Sequence, residues 1–425
     1  MNKSISFISS HKPYIENDVM LVDDIPVLFP CSENARFYTL TEEGNLQFHH
    51  DILKSAFFIL SGYHEWDNPE LIDAYGRYDY NRSVQKELNI IDKPLVNYYF
   101  DVIIDGLEAF ARFHSLELRR RHPFSGPVLL MTHDVDRINF FKIKSVLSRW
   151  LDVFVKGDSQ YCFIDRLRFA WHSSLRYFAP LAHPNNLYYS FPFLIQTQKK
   201  HKIRSTWFML NKRRGEPAGD YTFNRKPIQQ LVKYLQNNNC EVGLHGSFRS
   251  LKSVENYHDE VSQFIKYFSI EPNGARQHYL VGTLPELFRF QSSAGLVYDS
   301  TMGFSAREGF RHGYCHPYHP FDHDNQMMLP LWELPLLAMD TTLFEKRGLE
   351  NQRILESLDQ LLSECRRFNG VFTFLWHNCR NNQRVSPGIN LFYEELCSFI
   401  MQRVDSSLTC KEAIDIFEQQ INSKE

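Results

Sequence analysis

The amino-acid sequence predicts an α/β protein built on a parallel β-sheet, either a barrel or an open doubly wound sheet. Short apolar runs alternate with longer stretches of helical spacing along most of the chain. The run at 128–131 is apolar at successive positions, which is typical of a parallel strand covered on both faces. Strands that alternate with helices in this way are parallel strands joined by helical crossovers, and these give the two architectures named.

The individual elements follow from apolar runs and from apolar residues spaced three and four apart. Beyond the run at 128–131, the predicted strands are 203–210, 240–245, 274–280, 331–337 and 370–376, and the predicted helices are 190–202, 228–235, 254–268, 284–295 and 354–365.

The first part of the chain has a mixed pattern, with a strand at 25–29 and helices at 50–60 and 98–113. In the first of these helices, Ile52, Ala56, Phe57 and Leu60 form one apolar stripe. No metal-ligand or nucleophile spacing emerges there, so no chemistry is assigned to this part. A charged run at 118–122, followed by Pro and Gly, places a domain boundary between 1–125 and 126–425.

The composition is that of a soluble globular protein of two or three domains, with 425 residues, 43% hydrophobic and 23% charged. A net charge of -3 argues against bulk nucleic-acid binding. Neither an apolar signal core nor an uninterrupted apolar span of membrane length is present, so a cytoplasmic location without a transmembrane segment is expected. The eight cysteines form no CxxC pair, which predicts free, mostly buried thiols. The oligomeric state is not predicted.

The stretch 140–182 is rich in aromatic and basic residues at helical spacing. It fits contact with a membrane surface or an anionic glycolipid, but the pattern favours a solvated helical face packed by its aromatics.

Several predicted strands stop at a reactive side chain. A single histidine at a strand end is usually structural, and an aspartate there is often a helix N-cap. Four strands that each end at a reactive residue indicate a functional site, because the loops at one face of a parallel sheet converge on one cavity. The residues concerned are Asp134, Asp136, His245, Arg276, His278 and His377 with Asn378.

These residue types together indicate hydrolysis of an amide or ester. One carboxylate and two neutral imidazoles are a common ligand set for Zn²⁺ or a related divalent ion. Such an ion lowers the pKa of its bound water, a second carboxylate can take the water's proton, and a further histidine can protonate the leaving group.

The same residues resemble the motifs of the polysaccharide deacetylase family, of the NodB-homology or carbohydrate esterase 4 type, over about 127–417. The family's opening motif is similar to Thr132-His-Asp-Val-Asp136. This resemblance implies that Asp134 is the catalytic base and Asp136 a metal ligand. The second motif, which has two histidines, appears as His245-Gly-Ser-Phe-Arg249, so His245 is kept and the second histidine is replaced by Arg249.

The resemblance makes His278 the preferred third ligand, with His316 or His319 as alternatives. The third motif resembles Arg276-Gln-His-Tyr279 and implies that Arg276 pairs with Asp134. The last motif matches Leu375-Trp-His377, which makes His377 the candidate general acid, with Asp340 as its candidate partner. The fold implied is an irregular (β/α) barrel of the polysaccharide deacetylase type with a smaller N-terminal α+β domain.

The function implied is metal-dependent removal of an acetyl group from a sugar in a glycan or glycolipid precursor, with Zn²⁺ as the expected ion. Because Arg249 replaces a ligand, a degenerate relative that binds glycans or serves in assembly is the alternative, and another carbon–nitrogen hydrolase is a third. The chain looks most similar to divergent bacterial members with an N-terminal extension, marked here by Gly76-Arg77 among others. The histidine-rich segment 309–322 either lines the sugar site or is a buried loop.

Overall fold

A computed structural model describes residues 3–15, 18–138, 188–212, 219–381 and 386–423, together with scattered positions between 147 and 174. The predicted helical stretch 140–182 lies largely outside the described residues, so neither interpretation of it is tested.

The N-terminal part is a small α+β unit with its own apolar core, formed by buried side chains between Val22 and Phe110. Strands β1, β5 and β4 form one sheet, β2 and β3 form a hairpin, and helix α1 packs on α4. The strands are β1 (Ile5–Ser6), β2 (Met20–Val22), β3 (Ile25–Val27), β4 (Tyr38–Leu40) and β5 (Leu46–Phe48), and the helices are α1 (Ile52–Leu60), α2 (Tyr63–Trp66), α3 (Val84–Glu87) and α4 (Leu95–Phe113).

The apolar stripe predicted for α1 is wrong in part. Ile52 and Ala56 are buried as expected, but Phe57 is 42% exposed. The buried face instead continues through Ser55 and Ile59, at the spacing of one helix face. Ser55 is hidden from a hydrophobic pattern because it is polar, and its hydroxyl donates to the backbone carbonyl of Asp51.

The rest of the described chain forms a parallel sheet with helices around it. Nine strands belong to this sheet, and β11 and β12 form a separate hairpin. The strands are β6 (Val128–Val135), β7 (Ser205–Leu210), β8 (Glu241–Gly246), β9 (Gly274–Gln277), β10 (Tyr298–Asp299), β11 (Phe321–Asp322), β12 (Met327–Met328), β13 (Trp332–Glu333), β14 (Ala338–Met339), β15 (Val371–Leu375) and β16 (Ser406–Ser407). The helices are α5 (Phe191–Lys200), α6 (Lys226–Asn237), α7 (Val254–Phe268), α8 (Glu286–Ser293), α9 (Asn351–Arg367), α10 (Ile389–Met401) and α11 (Cys410–Asn422).

The sheet is curved into an incomplete barrel. Its order is β13-β10-β9-β8-β7-β6-β15-β14, with β16 added beside the start of β6. In a flat sheet, seven strand spacings would separate the two edge strands, β13 and β14, by about 34 Å. The four residues 334–337 that join them span at most about 18 Å, so the two edges must come together. The predicted fold class, an irregular (β/α) barrel with a smaller N-terminal α+β part, is confirmed.

The helices bury the faces that their sequences predict. In α6, Ile228, Leu231, Val232 and Leu235 are buried against the sheet, and Pro227 lies in the first turn, where its missing N–H costs nothing. In α9 the predicted apolar stripe is likewise buried.

Several strands differ from the prediction. The predicted strand 331–337 contains only the short strand β13, and β14 begins just beyond it at Ala338. Pro335 lies between the two strands, and the Leu334 and Leu337 N–H groups donate towards opposite edges of the sheet, at Asp299 and Thr373. The predicted strand 274–280 ends at Gln277 and continues as a 3-10 turn. Strands β10 and β16 were not predicted, because two residues each are too few to show an apolar pattern in the sequence.

The predicted boundary near residue 125 is not tested and stays a prediction. The predicted free thiols are found at the seven described cysteines, four of which are buried. None of the described helices is both long enough and apolar enough to span a membrane.

Between the sheet and helix α8, Asp299 and Glu333 lie opposite each other on β10 and β13, and both are fully buried. Glu333 Oε1 accepts the Met302 N–H at 3.0 Å, while Oε2 has no hydrogen-bond partner among the described residues. Burial and the neighbouring Asp299 carboxyl raise the pKa of Glu333 well above its usual range. The folded protein therefore holds a proton here that the unfolded chain loses above about pH 4.3.

We expect the free energy of unfolding of the wild type to fall relative to that of Glu333→Gln as the pH rises above about 4.3, because folding then requires uptake of a proton at Glu333. Urea unfolding of both proteins from about pH 5 to about pH 8 measures this difference. Glu356→Gln, at an exposed position on α9, is the matched control. A constant difference between wild type and Glu333→Gln across the range would show that Glu333 is ionised in the folded state.

Candidate metal centre and active-site cavity

The strand register explains why the predicted residues meet. On β6, Asp134 pairs with Phe208 of β7, and the last residue of β7, Leu210, pairs with His245 of β8. His245 in turn pairs with Arg276 of β9. These strands all run the same way, so the residues at and just beyond their ends gather at one edge of the barrel. Asp134 and Asp136, two residues apart on an extended chain, face the same side.

The structure brings Asp136, His245 and His278 together. One possible ligand atom from each of the three lies within 4.8 Å of the other two. His245 Nε2 is 3.2 Å and His278 Nε2 is 3.6 Å from Asp136 Oδ1. Two ligands of a tetrahedral ion of zinc size are expected about 3.4 Å apart. The spacing of these donors therefore fits a divalent ion.

The hydrogen bonds around the three residues also fit a cation. His245 Nδ1 lies 2.8 Å from the carbonyl oxygen of Arg276, which can only accept, so Nδ1 donates and Nε2 of the neutral ring has a free lone pair. Asp136 Oδ1 is buried and has no hydrogen-bond partner among the described residues. Burial raises the pKa of the Asp136 carboxyl, but His278 and His245 lower it well below its usual range. The Asp136 carboxylate and His245 Nε2 thus face each other, and a cation bound by both would take the place of a proton between them.

Arg276 is completely buried and is held by four hydrogen bonds. Its guanidinium donates to Asp134 Oδ1 at 3.1 Å and to Thr132 Oγ1 at 2.7 Å. It also donates to the carbonyl and hydroxyl oxygens of Ser300 at 2.7 and 2.8 Å. The predicted pairing of Arg276 with Asp134 is therefore present, and it gives this buried carboxylate a fixed positive partner.

His377 lies on the other side of the cavity, two residues beyond β15. Its Nδ1 is 2.6 Å from Asp340 Oδ1, and its backbone N–H donates to Oδ2 of the same carboxylate. The Arg380 guanidinium also donates to Asp340, at 3.2 Å. Burial lowers the pKa of His377, but Asp340 and then Asp136 and Asp134 raise it to about 9. Burial raises the pKa of Asp340, but His377 and Arg380 lower it to about 2.

This arrangement fixes the direction of the His377 ring. Because Nδ1 is directed at Asp340, Nε2 is directed at the cavity, where it lies 3.8 Å from Asp136 Oδ2. The raised pKa keeps the ring protonated at neutral pH. His377 can therefore give a proton to a group bound in the cavity.

The alternative ligands have other partners. His316 is buried beside Asn97, with His316 Nδ1 3.1 Å from Asn97 Nδ2. His319 packs on the ring of Trp332 and contacts the carbonyl oxygen of Leu331. Arg249, which replaces the second histidine of the family motif, is exposed and donates to Asn256. None of these three lies in the described three-residue cluster.

The segment 309–322 does not line the cavity, so its interpretation as a sugar-site loop is wrong. Most of it is buried, and it packs against the N-terminal unit through Arg311 and Glu65. Its His312, Tyr314 and His316 contact the N-terminal unit, at Glu65, Phe100 and Asn97.

Asp134, Asp136, His245, His278 and His377 line one cavity of about 430 Å³, a size typical of small-molecule sites. The cavity wall also includes Tyr75 and Arg77 of the N-terminal unit, to which the sequence assigned no chemistry. In the sequence, Gly76-Arg77 was noted only as a feature shared with divergent members of the family that the chain resembles. Their place beside Tyr279, about 200 positions away in the chain, depends on tertiary contact.

Fold and site together define a (β/α) barrel with a candidate metal centre at the carboxyl edge of its strands. Residues 3–111 match the model of a family described as a family of unknown function, DUF7033. No curated protein sequence matches this chain significantly.

Among solved structures, the chain is similar to a candidate polysaccharide deacetylase from Mycobacterium smegmatis, with 17% identity and a TM-score of 0.43, over 72% of this chain and 96% of that chain. It is similar to a family 4 carbohydrate esterase from Streptomyces lividans in complex with acetate, with 11% identity and a TM-score of 0.30, over 64% of this chain and 91% of that chain. It is also similar to a carbohydrate esterase family 4 pseudoenzyme from Bacillus anthracis, with 11% identity and a TM-score of 0.33, over 69% of this chain and 67% of that chain.

Proposed function

We propose that this protein is a metal-dependent hydrolase that removes an N- or O-linked acetyl group from a sugar in a glycan or glycolipid precursor. The observation that carries the proposal is the convergence of a possible ligand triad, a second carboxylate and a protonated histidine on one cavity. Each group required for hydrolysis of an acyl bond is present, and each comes from a different position along the barrel edge.

In this proposal Asp136, His245 and His278 hold the ion. When bound, a divalent ion, most simply Zn²⁺, lowers the pKa of a water molecule and polarises the acetyl carbonyl. Asp134 takes the proton of the attacking water, since it lies 3.6 Å from His245 Nε2 and therefore borders the triad. Arg276 donates to Asp134 and fixes its orientation.

His377 has the role of general acid. Breaking the acyl bond leaves negative charge on the sugar nitrogen or oxygen, and a proton from His377 Nε2 neutralises it. Asp340 holds the ring with Nε2 directed into the cavity and keeps it protonated. Asp340 is thus a positioning residue.

One observation supports a second candidate function, a relative that binds glycans without catalysis. The family's second motif has a histidine where this chain has Arg249, and Arg249 is exposed and bound to Asn256. In the hydrolase proposal, His278 therefore replaces that histidine as a metal ligand. In the second candidate function, the replacement reflects loss of the ion.

We expect the purified protein to bind one divalent ion, and Asp136→Ala, His245→Ala and His278→Ala each to weaken this binding by about 100-fold or more, because each removes one of three ligands. Elemental analysis after incubation with zinc and gel filtration measures the bound ion. His319→Ala, which removes a histidine outside the cluster, should leave the metal content unchanged.

Loss of the ion in the three ligand variants would justify screening acetylated amino sugars for acetate release. Wild-type protein that holds no ion after incubation with zinc would refute the hydrolase and favour the glycan-binding alternative. Retention of the ion by His278→Ala alone would exclude His278 from the ligand set.

A further inference from the structure

The N-terminal unit contributes a rigid turn, Asp73–Arg77, to the wall of the cavity. Asp73 Oδ1 accepts the backbone N–H groups of Tyr75 and Arg77 at 2.8 and 3.1 Å. Asp73 Oδ2 accepts two N–H groups of the Arg77 guanidinium, at 2.8 and 2.6 Å. Gly76 has a φ of +81°, which favours glycine, and its N–H donates to the carbonyl of Asp73. The turn therefore holds its shape through its own hydrogen bonds.

The turn docks on the barrel at the residue next to a candidate metal ligand. The rings of Tyr75 and Tyr279 are stacked, with centroids 5.6 Å apart and planes 24° apart. Arg77 Nη1 donates to the carbonyl oxygen of Tyr279 at 3.3 Å. Tyr279 directly follows His278, and their rings meet edge to face with centroids 4.4 Å apart. This stacked pair, Tyr75 and Tyr279, thus lies beside the proposed reaction centre.

The backbone of Tyr279 is held in an unusual conformation. Tyr279 and Leu280 have φ values of +61° and +56°, in the left-handed region that side chains other than glycine rarely adopt. Such conformations cost free energy and persist where the surroundings impose them. The contacts from Tyr75 and Arg77 are among those surroundings, and they fix the Tyr279 ring at the cavity wall.

The chemistry of this wall suits a sugar. Both tyrosines line the cavity, and Tyr75 is still 52% exposed although Tyr279 and the Arg77 guanidinium contact its ring, so part of its surface is available to a ligand. Arg77 has five N–H donors, of which the contacts above use three, and it also lines the cavity. Aromatic surface beside hydrogen-bond donors matches a pyranose ring, which has apolar C–H faces and a rim of hydroxyls.

We propose that the Asp73–Arg77 turn and Tyr279 form a sugar-binding subsite, so that the N-terminal unit selects the substrate of the barrel's catalytic centre. This inference rests on the proposed function for the identity of the reaction, but the subsite itself requires only that the sugar binds. Tyr75 and Arg77 are specificity-determining residues in this proposal, since they line the cavity while their described contacts are with Asp73, Tyr279 and each other.

The test compares full-length wild type with Tyr75→Ala and Tyr75→Phe, and with Tyr234→Ala as a control on the outer surface of α6. Calorimetry with tri-N-acetylchitotriose gives Kd without requiring turnover. Acetate release from the same sugar and hydrolysis of p-nitrophenyl acetate give KM and kcat for the zinc-loaded proteins. In Tyr75→Ala we expect Kd and KM for the sugar to rise about tenfold, as loss of ~1.4 kcal/mol of binding would cause. Hydrolysis of the small ester, which has no sugar to bind at the subsite, should change much less than Kd and KM for the sugar. Tyr75→Phe should have Kd and KM values between those of wild type and Tyr75→Ala.

Equal Kd and KM in wild type and Tyr75→Ala would overturn the subsite. Failure of the wild type to bind the sugar would also overturn it, even if the small ester is hydrolysed and the hydrolase stands. Sugar binding that Tyr75→Ala weakens, without any acetate release or ester hydrolysis by the wild type, would support the subsite and refute the hydrolase.

Discussion

Asp134→Asn is expected to lower kcat for acetate release by about 10²- to 10⁴-fold while the metal content stays near that of the wild type. The amide has the shape of the carboxylate and still accepts a hydrogen bond from Arg276, so the buried guanidinium keeps a partner. An amide does not take up a proton at neutral pH, so the attacking water loses its base. Asp134 is not one of the three residues of the ligand cluster, and the ion should therefore remain. Single-turnover acetate release and elemental analysis of the same preparation measure the two quantities.

Asp359→Asn is the matched control, since this carboxylate lies on the outer surface of α9 in an ion pair with Arg403. It should leave both quantities unchanged. Retained turnover in Asp134→Asn would exclude Asp134 as the base. Joint loss of the ion and of turnover would instead assign Asp134 to the ligand set.

The sequence predicts the parallel sheet and the centre of this site because both depend on local pattern, whereas the choice of a barrel over an open sheet came from the resemblance. Runs of buried residues show where a parallel strand ends, and parallel strands place their ends at one edge. Asp134, Asp136, His245, Arg276 and His377 therefore could be brought together from their order in the chain. The choice of His278 over His316 and His319 came from the resemblance, and in the structure only His278 lies beside Asp136.

Other features depend on contacts between distant parts of the chain. Pattern alone does not show that segment 309–322 turns away from the cavity, because a buried loop and a ligand-binding loop are both rich in aromatics. It likewise does not show that Arg77 reaches Tyr279. The connection at 334–337 looks like the middle of one strand, and only its hydrogen bonds to both edges of the sheet show that it closes the barrel.

A buried ion pair between Glu65 and Arg311 joins the N-terminal unit to the barrel. The Arg311 guanidinium donates to both oxygens of Glu65, and the two side chains are only 5% and 2% exposed. His312 Nε2 lies 3.3 Å from the same carboxylate, and Gln85 donates to the Arg311 carbonyl. Burial alone would raise the pKa of Glu65, but the Arg311 guanidinium outweighs burial and holds this pKa well below its usual range. The pair is thus ionised and shielded from water.

Removal of either partner leaves the other as a buried charge without compensation. We therefore expect Arg311→Met and Glu65→Gln each to lower the free energy of unfolding by about 3–5 kcal/mol, measured by urea denaturation. The double variant should lose much less than the sum of the two, because it buries no unpaired charge. Arg353→Met, in an exposed pair on α9, should stay close to wild type. A double variant that loses the full sum would show that the two residues act independently, and that other contacts hold the N-terminal unit, and with it Tyr75 and Arg77, at the cavity.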